Sequence, residues 1–151
     1  MAAGDYITFE EAKAYMLEDF VSANIIKLAL ITSAVVPTAA DAVPGMHAGA
    51  TVTYTEVTAG GAYVAKGETL DTFGNMITEV GGTVTFDDTG ASVTWLQNAS
   101  SPTNARYGII FNSSDTGLER AIGFIDLGAV FDMTAGDLTI TWNASGIFTV
   151  G

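Results

Sequence analysis

Residues 103–128 read TNARYGIIFNSSDTGLERAIGFIDLG: two apolar runs separated by a polar loop, with one charge, Arg106 or Asp126, lodged in each run. Short apolar runs bounded by Asn, Ser, Asp, Thr and Gly predict two β-strands, over 106–112 and 121–127. If they fold back on each other about Asp115 and Thr116, Arg106 and Asp126 come to lie within one residue of direct register. A cross-strand ion pair would then act mainly by fixing register, since a covered pair roughly breaks even against its desolvation. The other reading is that either charge points outward, toward a neighbouring subunit.

The same pattern continues on both sides. From residue 51 onward, strand candidates fall at 51–57, 76–80, 83–86, 92–97, 138–142 and 147–150. The turns between them are GG at 60 and 81, DDTG at 87–90 and TAGD at 134–137. Strands spaced at intervals of about ten residues predict an antiparallel sandwich or barrel. The expected fold is mainly β, an antiparallel, jelly-roll-like β-sandwich over 25–151. NIIKLALITS at 24–33 alternates with both faces mainly apolar, which suits a strand covered on two sides; it could instead prolong a preceding helix, but its β-branched residues and the proline loop after it favour the strand. It is followed by VVPTAADAVPGMHAGA at 35–50, a long loop in which Pro37 and Pro44 oppose regular pairing.

One segment reads as helix. Thr8 and Glu11 have capping-box spacing, and Phe9, Ala12, Met16, Phe20 and Ala23 fall on one helical face. An amphipathic helix is expected over 9–23, within an N-terminal arm of residues 1–24.

Composition narrows the chemistry. A chain of 151 residues fits one domain able to bury about 70% of its unfolded surface. With 48% hydrophobic and 15% charged residues it should fold in spite of a formal charge of −12. Five scattered cations against 17 carboxylates give no basic patch for nucleic acid or anionic membrane. No cysteine is present, so disulfides, thiolate metal sites and thiol nucleophiles are excluded. The apolar run at 25–36 is too short to span a bilayer and carries Lys27, and no basic n-region of a signal peptide precedes it.

No residue set selects a catalytic reaction. His47 is the single histidine and sits in the loop beside Pro44, Gly45 and Gly49. Glu56, Asp71, Asp87 and Asp88 could supply a glycosidase pair, but nothing in the spacing picks two of them, and Asp87 and Asp88 suit turn chemistry. No EF-hand spacing marks a calcium site, and the glycines lack the context of a phosphate loop. No cofactor and no metal are expected. The N-x-S triplets at Asn98, Asn112 and Asn143 read as loop chemistry. The aromatics Trp95, Tyr107, Phe111, Phe124, Phe131, Trp142 and Phe148 lie mostly in strand candidates and suit a core; an exposed Trp95 or Trp142 would instead allow a carbohydrate platform.

Four motifs carry a resemblance: GETL at 67–70, Trp95 with ARYGIIF at 105–111, AIGFIDLG at 121–128, and AGDLTITWNASGIFTV at 135–150. Over residues 50–151 the chain resembles small virion proteins of tailed bacteriophages, of the head decoration or cement kind. The resemblance implies a non-enzymatic protein on the outer surface of the capsid, with the major capsid protein as partner. A homotrimer near local threefold positions is expected, and no nucleic acid or membrane. The expected attachment surface is Phe9, Met16 and Phe20 of the helix with Val36, Pro37, Pro44 and Met46 of the loop, although a helix packed on its own domain fits equally. Rival readings are a head–tail or tail adaptor and a carbohydrate-binding module.

Overall fold

The fold is described from a computed structural model, covering residues 4–12, 16, 20–88, 92–144 and 146–150. It is mainly β, with antiparallel sheets. The strands are β1 (Tyr6–Thr8), β2 (Ile25–Ile31), β3 (Pro44–Gly45), β4 (Val52–Thr53), β5 (Glu68–Thr72), β6 (Ile77–Val80), β7 (Thr83–Phe86), β8 (Ser92–Trp95), β9 (Ala105–Asn112), β10 (Ala121–Phe131), β11 (Leu138–Thr141) and β12 (Phe148–Val150). A one-turn helix, α1 (Phe73–Met76), joins β5 to β6.

The main sheet has the order β1-β10-β9-β2-β5, and β11 with β8 and β12-β7-β6 form smaller antiparallel sheets. β3 and β4 make a short parallel pair. The two central strands explain the composition of their sequences. Every residue of β9 except Arg106 is buried, as are five of the seven in β2, so both faces of the sheet are covered at its centre. That is why β2 and β9 are nearly continuous apolar runs and do not alternate cleanly.

Different segments cover the two faces. Ile140 of β11 packs 3.5 Å from where a Cβ would stand on Gly108, beside Leu28 and Ile125. Near the sheet edge, the Tyr6 ring stacks on Phe148 of β12 at 5.9 Å between centroids. The N-terminal segment and the loop after β2 contribute elsewhere: Phe9 lies against Phe124 at 5.4 Å and Tyr54 at 6.0 Å, and is 0% exposed.

The N-terminus differs from the sequence expectation. Tyr6–Thr8 is an edge strand of the main sheet, paired Tyr6 to Ile125, rather than the approach to a capping box. The Glu11 carboxylate accepts the Val43 N–H at 2.8 Å, fastening the long loop instead of reaching back to Thr8. Within the expected helix Ala12 and Met16 are helical, residues 13–15 and 17–19 lie outside the described residues, and 9–11 and 20–24 are turn or irregular backbone. β-Branched and aromatic residues at 6–8 favour extended backbone, and pairing with β10 overrides the cap signal.

The loop at 35–50 is tied to the rest of the fold. Met46 N–H donates to the Glu119 carbonyl and His47 N–H to the Leu118 carbonyl, at 3.1 and 3.2 Å, so the loop is laid against the 113–120 turn. Tyr54 Oη donates to Asp41 Oδ2 at 2.7 Å, and Asp41 also accepts from the Thr38 hydroxyl and N–H. Of the candidate strand at 51–57, only Val52–Thr53 is a strand, although Glu56 bridges Ile31.

Candidate functional site

The charges that interrupt the two apolar strands meet. β10 pairs with β9, and Asp126 is in register with Tyr107, one residue from Arg106; a register shift follows immediately. Arg106 Nη1 donates to Asp126 Oδ1, which also accepts the Gly128 N–H at 2.7 Å. The guanidinium lies 4.4 Å from the centre of the Tyr107 ring, an added cation–π contact. The side chains are only 18% and 14% exposed, so neither charge reaches freely into solvent.

The Arg106 hydrogen bond holds the Asp126 carboxyl below the ordinary aspartate range, and Asp126 in turn raises the arginine. A carboxyl whose pKa is lower folded than unfolded stabilises the fold above its unfolded value of about 3.9 and ceases to as pH falls through its folded value. Arg106→Met should therefore cost about 1–2 kcal/mol at neutral pH by urea unfolding, and the loss should shrink as the pH falls below the unfolded value of about 3.9. The double variant Arg106→Met with Asp126→Leu should return to within about 1 kcal/mol of the parent. A double variant as unstable as the single one would show that the pair is not what Arg106 contributes.

A second polar assembly, not foreseen from sequence, ties the segment after β4 to the central strand. Leu30 N–H donates to Tyr63 Oη at 3.0 Å, and Tyr63 Oη donates to Glu56 Oε1 at 2.7 Å. The Lys66 N–H donates to the same oxygen, while its Nζ pairs with Glu119 at 2.6 Å. Burial pushes the Tyr63 phenol up, so it remains a donor across the physiological range. Its only sequence trace is a tyrosine, a lysine and two glutamates scattered among turn residues.

Three of the four carboxylates considered for acid–base work have structural partners, on separate elements. Glu56 serves Tyr63; Asp71 accepts from Asn75 Nδ2 at 2.9 Å and the Thr72 N–H at 2.7 Å; Asp88 accepts from Trp142 Nε1 at 3.2 Å. The side chain of His47 is exposed, and its Nδ1 accepts the Gly49 N–H at 3.2 Å. Among the described residues, no three histidine, aspartate or glutamate side chains are grouped so as to hold a metal ion.

The expected attachment surface is largely spent inside the molecule. Phe9, Pro37, Pro44 and Met46 are buried, and Met16 and Phe20 are half-buried against the same core, with Phe20 on Phe73 at 4.4 Å. Val36 alone of that set is exposed, at 58%. Apolar periodicity marks a buried face but does not name what buries it, and here the chain itself does. Trp95 is 1% exposed and packs on Tyr63, which removes it as a carbohydrate platform; Trp142 is half-buried with its indole N–H bound to Asp88.

The chain matches no protein family, no curated protein and no solved structure with which it was compared.

Proposed function

We propose that this chain is a structural protein of a tailed-bacteriophage particle, a decoration protein that binds the outer capsid surface and reinforces contacts between major capsid subunits. The resemblance carried by residues 50–151 is the observation on which this reading rests. Its motifs fall on the framework of the fold: ARYGIIF forms most of β9, AIGFIDLG opens β10, and AGDLTITW runs through β11. The main sheet and the smaller sheets are read as the two layers of a sandwich, a reading supported by Ile140 over Gly108 and Phe148 on Tyr6.

A net charge of −12 suits a protein held outside packaged DNA, where it stays soluble and is repelled by phosphate. Many copies on a symmetric shell gain avidity, so each contact can be modest. A trimeric arrangement at local threefold positions is part of the proposal. With Phe9 and Met46 committed to the core, the apolar side chains left for contact include Val36, Leu96 at 64% and Val80 at 73% exposure, the last at the turn between β6 and β7.

Counting copies in purified particles tests the reading. Decoration requires a copy number that scales with the major capsid protein, and particles lacking the chain should lose their contents at lower temperature than complete ones. A handful of copies confined to one vertex would replace this reading with a head–tail adaptor. Unchanged resistance to heat would remove reinforcement.

A further inference from the structure

Two strands of different sheets each keep one side open: among the described residues, β5 pairs only with β2, and β8 only with β11. Both line one cleft of about 410 Å³, with Glu68, Thr69 and Leu70 from β5 and Ser92, Val93 and Thr94 from β8, joined by Asp88. The open side of an edge strand presents backbone N–H and C=O groups to whatever extended chain lies beside it. Two such strands on one cleft make a slot in which an added strand can bond through its main chain while alternate side chains are read by the walls.

The walls select by charge. They carry two carboxylates and no lysine or arginine. Asp88 is 8% exposed and is held in place by the Trp142 indole, so its charge is fixed near the cleft. Leu70 and Val93 are half-buried there and offer apolar surface along which the stem of a long basic side chain can lie. A second copy of this chain would bring its own net charge of −12 to the contact, which disfavours self-pairing.

We propose that the β5–β8 cleft binds an extended, lysine- or arginine-bearing segment of another protein as an added strand. Main-chain bonding supplies affinity, and the Glu68 and Asp88 carboxylates select for the cation. This does not rest on the capsid reading, and its test needs no particle.

The probe is a ten-residue peptide of alternating threonine and valine with one central lysine, compared with a twin carrying glutamate in place of the lysine. Each is titrated into the full chain while backbone amides are followed by NMR. The lysine peptide should perturb and protect amides within 68–72 and 92–95 and bind at least about tenfold more tightly than its twin, with the preference shrinking as salt rises. Glu68→Lys should reverse the preference. Ser92→Arg, on the exposed side of the other wall, should do the same and covers the case in which the first variant fails to fold. Absence of binding, equal affinity for the two peptides, or perturbations confined to other strands would each overturn the proposal.

Discussion

Phe9→Ala should lower the unfolding free energy of the isolated protein by about 3–5 kcal/mol, the range for truncating a fully buried phenylalanine. Phe9 is 0% exposed, and its ring sits between Tyr54 and Phe124, with Ala12 buried in the same core. Truncation removes the contacts of the ring and leaves a cavity. Three segments border it: the N-terminal chain, the loop after β2, and β10. Because β1 adjoins Phe9, the loss should also loosen the pairing of Tyr6–Thr8 with β10. A denaturation midpoint that falls at unchanged slope is the expected signature. A loss below about 1 kcal/mol would mean that Phe9 does not belong to the core, and would return it to the surface suggested by helical periodicity.

Gly67→Ala should be nearly as damaging, at about 3 kcal/mol or more, for a different reason. Gly67 has φ +64°, where a β-carbon is disfavoured by about 1–2 kcal/mol. A Cβ there would also collide with backbone, the Leu28 carbonyl oxygen and the Ala29 Cα at 2.7 Å, in the central strand β2. Relief requires moving β2 or withdrawing the 64–67 turn from it, and backbone cannot rotate away as a side chain can. Gly81, with φ +61° and open space around its Cβ position, isolates the conformational part. Gly81→Ala should cost only about 1–2 kcal/mol. Equal losses at the two positions would show that crowding against β2 contributes nothing.

The local sequence encodes burial better than partnership. β9 and β10 are legible as strands because apolar runs end at turn residues, and β2 because both of its alternating faces are apolar. What the runs do not state is that β9 lies between β10 and β2, an order set by packing between segments some eighty residues apart. β5 escapes a periodicity reading because ETLDT carries a single apolar side chain, Leu70, among polar ones, as an edge strand can. β1 is three residues long and overlaps a stronger cap signal. At the candidate sites, Arg106 and Asp126 can be picked out since opposite charges stand in two adjacent apolar runs. The β5–β8 cleft cannot, because its walls come from strands whose hydrogen-bonding partners are elsewhere in the chain.

The pairing of Tyr6 with Ile125 has a consequence for biosynthesis. β1 leaves the ribosome long before β10, its neighbour in the sheet, and β2 long before β9, which it needs on one side of it. Until then the apolar Ile25–Ile31 segment is a naked edge in a nascent chain, the circumstance in which strands find the wrong partner. Folding slower than that of a chain built from local pairings is the expected result of that order.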